Sequence, residues 1–160
     1  MRHFVRVLVA VTSLMTVCLS TSATVHALVR DAATDLAFVE QLSFATSLSA
    51  FIATADTHNN GDTWFDWSTD YCSAPVVGNT GRTFNFTNSC RRHDFGYRNT
   101  QLLEIRYGND AWNATSRKRI DLQFLNDMKA HCAARRLLDR PTCYSWAYTF
   151  YNAVRVAGGP

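Results

Sequence analysis

Proline and glycine are scarce in this chain, with three and seven in 160 residues. That scarcity excludes collagen-like, low-complexity and linker-dominated classes, and a hydrophobic share of 47% allows a buried core. Long apolar runs are lacking too. The run Val7 to Leu19 falls below the roughly 20 residues a membrane-spanning helix needs, which argues against an anchor. Closely spaced metal-ligand motifs are also missing. The chain has no C-x-x-C pair and no H-E-x-x-H helix, so neither a structural nor a catalytic zinc site is expected. No alternating run of sheet-forming length and no internal repeat is visible. A β-sandwich, a barrel and a solenoid are thereby excluded.

What is present begins with the pattern expected of a leader. Arg2 and Arg6 precede the apolar run, small residues follow, and Val25-His26-Ala27 suits signal peptidase. The expectation is a signal peptide over residues 1–27, cleaved after Ala27, with a single domain over 28–160 in a secreted, extracellular protein. Cleavage takes away Arg2, Arg6 and no acid, so the formal charge falls from +3 to +1. A near-neutral chain lacks the electrostatic footprint of a nucleic-acid binder. It also loses Cys18. The remaining four, Cys72, Cys90, Cys132 and Cys143, read as two disulfides in an oxidising space, with three connectivities open.

The described pattern is all-α. Thr34 followed by Asp35 suits an N-cap, opening a first helix that runs to about Ala55. His58 to Asp62 breaks it, and a loop with Pro75, Gly78 and Gly81 follows. A second helix is predicted from about Asn88 to Arg106, capped by Asn88 or Ser89, with Gly96 in its interior marking a close approach. Residues 107–116 connect it to a long helix over Arg117 to Leu138. There Asp121, Phe124, Leu125, Met128 and Cys132 share one stripe, on which Asp121 is the polar exception. Asp139-Arg140-Pro141 starts a last, aromatic helix to about Val156.

Three histidines outlast the leader, and His93 has the richest surroundings. On a helix its neighbour Asp94 points about 100° away, so the two serve different partners. A general base needs a neutral imidazole held in one tautomer by a carboxylate. Asp121, stranded on the apolar stripe, is the natural orienting group, with Arg117 or Arg119 as a further partner for it. If Cys72 bridges Cys90, Asp70 comes close to Asp94. Two carboxylates with loop carbonyls would form a hard oxygen site suited to Ca²⁺, while spacing alone favours two solvated acids.

Together, Trp67-Ser68-Thr69-Asp70-Tyr71-Cys72, the helix Cys90-Arg91-Arg92-His93-Asp94-Phe95-Gly96-Tyr97-Arg98-Asn99, the downstream Ile120-Asp121 and the Trp146-Ala147-Tyr148 helix resemble the secreted prokaryotic and fungal phospholipase A2 family. The likeness runs over most of the chain after the leader. It implies a small all-α domain of about five helices with two disulfides, Cys72 with Cys90 and Cys132 with Cys143, and a calcium loop. It implies His93 as base and Asp121 as its orienter. Ca²⁺ would be held by the carboxylates of Asp70 and Asp94 and the main-chain carbonyl of Tyr71. The implied activity is calcium-dependent hydrolysis of the sn-2 ester of a glycerophospholipid by a monomer at a membrane or micelle surface. Trp64, Phe65 and Trp67 are either lipid-inserting side chains or, equally, core packing beside the disulfide, and Arg91 or Arg92 is the candidate phosphate contact. The alternative is a secreted calcium-binding surface protein with the same fold and little turnover. It would be supported by a missing base or orienter, and neither is missing.

Overall fold

The computed structural model describes residues 30–58, 62–72, 80–81 and 84–157. Among them are five α-helices: α1 Ala32–Glu40, α2 Leu48–His58, α3 Thr87–Tyr107, α4 Ala114–Ala133 and α5 Arg140–Ala157. A π-helical turn, Gln41–Ala45, extends α1, and the one two-stranded ladder pairs β1 Thr80–Gly81 with β2 Phe84–Asn85 antiparallel. The all-α expectation holds. The leader expected over residues 1–27, the loop bearing Pro75 and Gly78, and the terminal Gly158-Gly159-Pro160 lie outside the described residues.

The single first helix expected through Ala55 is two helices, for a local reason at each end. Asp31 rather than Thr34 caps α1: its carboxylate accepts from the Thr34 N–H at 2.8 Å, and the Thr34 hydroxyl accepts from the Asp31 N–H at 3.0 Å. Such a reciprocal box satisfies two of the free amides of a first turn. After the π-turn, Thr46 is extended at φ −86° and ψ 142°, and the Ser47 hydroxyl accepts from the Ala50 N–H to start α2. The Arg92 guanidinium takes the Thr46 carbonyl at 2.6 Å, so the break is satisfied from another helix.

The long fourth helix is also shifted. Asn113 caps α4 through its side-chain oxygen, which accepts from the N–H groups of Thr115 and Ser116. At the far end α4 stops at Ala133 rather than at Leu138, because the chain must reverse in time for Cys132 to reach Cys143. The other disulfide joins Cys72 to Cys90 and fastens the loop before β1 to the first turn of α3. Both pairings are those the family resemblance implies.

Helices α3, α4 and α5 run antiparallel in succession. Residue 93 lies against 121 and 97 against 117, while Arg117 at the start of α4 donates to the carbonyls of Val154 and Arg155 at the end of α5. One apolar cluster joins Cys72, Phe86, Cys90, Phe124, Met128, Cys132, Cys143 and Phe150. A second, with Val39, Phe51, Phe65, Trp67, Phe95 and Leu103, seats α1 and α2 on the other side of α3. Gly96 makes the α3–α4 approach possible: a Cβ there would lie 3.0 Å from Ile120 Cγ2 and 3.4 Å from Ser43 Oγ.

Of the two readings of the aromatic loop, lipid insertion and core packing, the structure shows core packing. Phe65 and Trp67 are 5% and 9% exposed, and their rings pack on Phe38 and Phe95. The indole N–H of Trp67 donates to Asp62 and that of Trp64 to Asp35. Asn99 on α3 holds the same loop by accepting from the Asp66 N–H and donating to the Asp66 carbonyl, both at 2.8 Å. These aromatics satisfy their polar ends inside the fold, as buried Trp residues usually do. Nor are the two arginines before His93 free for phosphate. Arg91 pairs with Asp56 at 2.7 Å, and buried Arg92 makes a two-pronged ion pair with Asp127.

Candidate active site

His93 lies in the second turn of α3, where the antiparallel neighbour α4 brings up Asp121. Its Nε2 is 2.8 Å from Asp121 Oδ1. The carboxylate is fully buried and shares Oδ1 with the Tyr97 hydroxyl, which donates at 2.7 Å, while Arg155 donates to Oδ2 at 2.6 Å. Arg117 stands 3.8 Å from Oδ2 and also donates to the Tyr97 oxygen at 3.2 Å, so the tyrosine proton is directed at Asp121. Arg119, the other partner weighed from sequence, pairs with Glu40 instead.

The electrostatics of Asp121 follow from that shell. Burial alone pushes its carboxyl up, but the hydrogen bonds from His93, Arg155 and Tyr97 together outweigh burial and hold it below the usual carboxylate range. Burial and the bond to Asp121 push the Tyr97 phenol well above its ordinary value, which keeps it a donor. An ionised Asp121 can only accept. Therefore Nε2 of His93 carries the ring proton, and in the neutral imidazole Nδ1 is left with its lone pair. No described residue hydrogen-bonds that Nδ1. The ring is clamped by Tyr97 and Phe124, with centroids 4.3 and 4.8 Å away.

Asp94 faces the other way, toward the Cys72 loop. Its Oδ2 accepts from the Thr69 hydroxyl at 2.5 Å, and that same hydroxyl accepts from the Tyr71 N–H at 3.0 Å. Thr69 thus ties Tyr71 to Asp94. Tyr71 has φ 60°, a left-handed conformation that is uncommon for a bulky side chain and is held here by the Thr69 bond and by Cys72 next to it. Burial first, and then the charge of neighbouring Asp70, push the Asp94 carboxyl up to about 6 against the lowering effect of the Thr69 bond. Arg98 sits 3.6 Å from Asp70 and bonds Ser68 in the same loop.

Among the described residues, then, Asp94 feels the charge of Asp70 across the Thr69 link, next to a kinked backbone, and no cluster of three His, Cys, Asp or Glu side chains forms. That donor set fits a hard cation that completes its shell with main-chain oxygens and water, and it does not fit a soft metal. Of the residues singled out from sequence, the structure brings His93 to Asp121 and ties Asp94 and Tyr71 together through Thr69, with Asp70 between Thr69 and Tyr71. Sequence reasoning missed Thr69, Tyr97 and Arg155. Tyr97 follows His93 by one helical turn on the same face, a signal the spacing carries; Arg155 has no local signal, because it arrives from α5.

Five helices, two disulfides and a buried His–Asp pair between α3 and α4 define a class, that of small all-α domains fastened by two disulfides. The particular family comes from comparison. The profile of the prokaryotic phospholipase A2 family matches residues 39–158, and the chain belongs to that family. It is 37% identical over 116 residues to a secretory phospholipase A2 of Beauveria bassiana (strain ARSEF 2860), covering 72% of this chain and 55% of that protein. It is 33% identical over 125 residues to a secretory phospholipase A2 of Arthroderma benhamiae (strain ATCC MYA-4681 / CBS 112371), covering 76% and 78%. The chain thus spans little more than half the length of the Beauveria relative.

Proposed function

We propose that this protein is a secreted, calcium-dependent phospholipase A2 that hydrolyses the sn-2 ester of glycerophospholipids to lysophospholipid and fatty acid. The observation that carries the reading is the 2.8 Å bond from His93 Nε2 to a buried Asp121, which leaves Nδ1 as the basic nitrogen. Family membership supplies the substrate class, and the names of both fungal relatives agree with export.

In the proposed reaction His93 Nδ1 takes a proton from a water molecule as that water attacks the ester carbonyl, and returns it to the leaving alkoxide. Asp121 fixes the ring orientation through Nε2–H and stabilises the imidazolium that forms between those two transfers. Tyr97 and Arg155 keep Asp121 ionised and stationary, so the base does not lose its proton-bearing nitrogen to the wrong side. Asp70, Asp94 and the Tyr71 carbonyl are the residues that would hold Ca²⁺. When bound there, the ion supplies electrophilic stabilisation of the ester oxygen and a counter-charge for the phosphate.

Release of fatty acid from phosphatidylcholine vesicles tests the proposal. Turnover is expected with calcium, and is expected to vanish in EDTA and in His93→Ala. Undiminished turnover in His93→Ala would sink the mechanism, and full activity in EDTA would remove calcium from it.

A further inference from the structure

The reversal between α4 and α5 carries an arrangement that no catalytic role absorbs. Its sequence is Arg135-Arg136-Leu137-Leu138-Asp139-Arg140, closed into one short loop by Cys132–Cys143. Leu137 is 75% and Leu138 93% exposed, and the side chain of Arg136 is 91% exposed. Ile105 and Val156 are as exposed but stand singly along their helices, whereas Leu137 and Leu138 are adjacent at a loop tip, and no described residue covers them.

The loop is built to stay in that shape. The Arg135 N–H donates to the Cys132 carbonyl at 3.0 Å, the Asp139 N–H to the Arg136 carbonyl at 2.9 Å, and the Arg140 guanidinium to the Arg135 carbonyl at 3.0 Å. Arg135 is also anchored on His131. Asp139, the one acid of the loop, is paired with Arg136 at 3.4 Å, so the tip keeps an excess of positive charge around its two leucines.

We propose that this disulfide-closed tip is a membrane-docking element that sets Leu137 and Leu138 into the acyl boundary of an anionic phospholipid surface, with Arg136 and Arg140 at the headgroups. The choice of occupant follows from size and charge. A protein partner needs about 800 Å² per side for a stable contact, far more than one turn with two side chains offers. A bilayer needs no shaped counterpart. Apolar side chains sinking among acyl chains and basic groups meeting anionic headgroups add up to reversible peripheral binding, and a loop already rigid loses little entropy on docking.

The tip also lies at the right end of the molecule. The Phe86 ring packs on His131 with centroids 5.4 Å apart and the Arg135 guanidinium lies over the Phe84 ring, so the end of α4 that carries the tip stands beside the start of α3, to which Cys90 bridges the Asp70 loop. Along α4, Asp121 is about 16 Å from Cys132 at 1.5 Å per residue. Docking by this end puts the disulfide-tied Asp70 loop on the lipid-facing end of the molecule, where the proposed phospholipase activity, on which the choice of lipid rests, would need it.

The experiment is sedimentation of the protein with vesicles of pure phosphatidylcholine and of phosphatidylcholine with phosphatidylglycerol, in EDTA so that no hydrolysis intervenes. Alongside it runs turnover of a short-chain phosphatidylcholine below its micelle concentration, with calcium. The wild type is expected to favour the anionic vesicles and to release them as salt rises. Leu137→Ser with Leu138→Ser is expected to weaken vesicle binding roughly tenfold, the loss that burial of two leucines predicts after partial insertion. Arg136→Gln with Arg140→Gln should lose the preference for anionic lipid. Both variants should keep their thermal midpoint and their turnover of monomeric substrate. Unchanged vesicle affinity in the leucine variant overturns the inference, as does a change in self-association of that variant in the absence of lipid, which would mark the tip as a protein contact. If monomeric substrate is never hydrolysed but vesicle binding still depends on the tip, the phospholipase reading fails and the docking surface stands.

Discussion

Asp121 is asked to accept from an imidazole, a phenol and a guanidinium at once, and its burial makes each of those bonds count. Replacing it by Asn offers an amide in place of an acceptor, so His93 can be held in the wrong tautomer. By analogy with the aspartate of hydrolase triads, turnover in Asp121→Asn should fall by about 10³- to 10⁴-fold. Calcium binding, measured by titration calorimetry, should be nearly unchanged, since the loop proposed to hold the cation bonds Asp94 and not Asp121. Loss of calcium binding instead would mean that Asp121 belongs to the metal. The same carboxylate gives a pH signature. Its folded form binds a proton less tightly than the unfolded chain does, so its contribution to stability is complete above the ordinary value of 3.8 and is lost as the pH falls below it. Urea midpoints of the wild type should therefore drop more steeply below about pH 4 than those of Asp121→Asn, in which this group no longer titrates. Arg155 was out of reach of sequence reasoning for a physical reason. Its partner is 34 residues away, and only the antiparallel return of α5 makes them neighbours. His93 and Asp121 were legible because each is a polar residue set among apolar positions on a helix, a mismatch that periodicity exposes.

Helices α3 and α4 are joined by one deeply buried charge pair. Arg92 bonds both oxygens of Asp127 and also the Thr46 carbonyl, so it closes the break between the π-turn and α2 while it fastens two long helices. Asp127→Ala leaves a guanidinium buried without its counter-ion. A loss of about 3–5 kcal/mol is expected in chemical denaturation. A loss under 1 kcal/mol would show that water reaches Arg92. Gly96 gives a second test of the same contact. A methyl group 3.0 Å from the branched Cγ2 of buried Ile120 forces a packed side chain to shift, at a cost of about 1–3 kcal/mol that exceeds the gain of up to about 1 kcal/mol from helix propensity. Gly96→Ala should therefore lower the thermal midpoint, and a rise would mean that the two helices can part without penalty. Element types were legible here and their ends were not. Asp31 and Asn113 cap their helices through ordinary Asx chemistry, but so would Thr34, Asn88 or Ser89, and only the fold selects among them. The stop at Ala133 depends on which cysteine Cys132 meets, a pairing that spacing alone left open and the family resemblance supplied.

At the scale of the whole molecule, the two disulfides gather the ends of the long helices, the Asp70 loop and the Leu137–Leu138 tip at one end, while the aromatic loop of Trp64 to Trp67 is folded into the opposite core cluster. That sequence reasoning left this loop open between lipid and core has a plain cause. Aromatic residues beside a turn look the same whether they face lipid or a core, and the choice is made by Asp35, Asp62 and Asn99, which satisfy the loop from distant positions. A cation in the Asp70 loop would act on the same global scale, because ligands that bind only the folded chain stabilise it by mass action. At free calcium a hundred times its dissociation constant the gain is about 2.7 kcal/mol, or a rise of roughly 5–11 °C in thermal midpoint for a domain of this size. Asp70→Asn and Asp94→Asn should each abolish that calcium-induced rise. His93→Ala should retain it in full while losing turnover. The pattern separates the two halves of the site: a calcium shift lost in His93→Ala would join base and metal in a single cluster, whereas a shift kept in both aspartate variants would put the cation elsewhere in the chain.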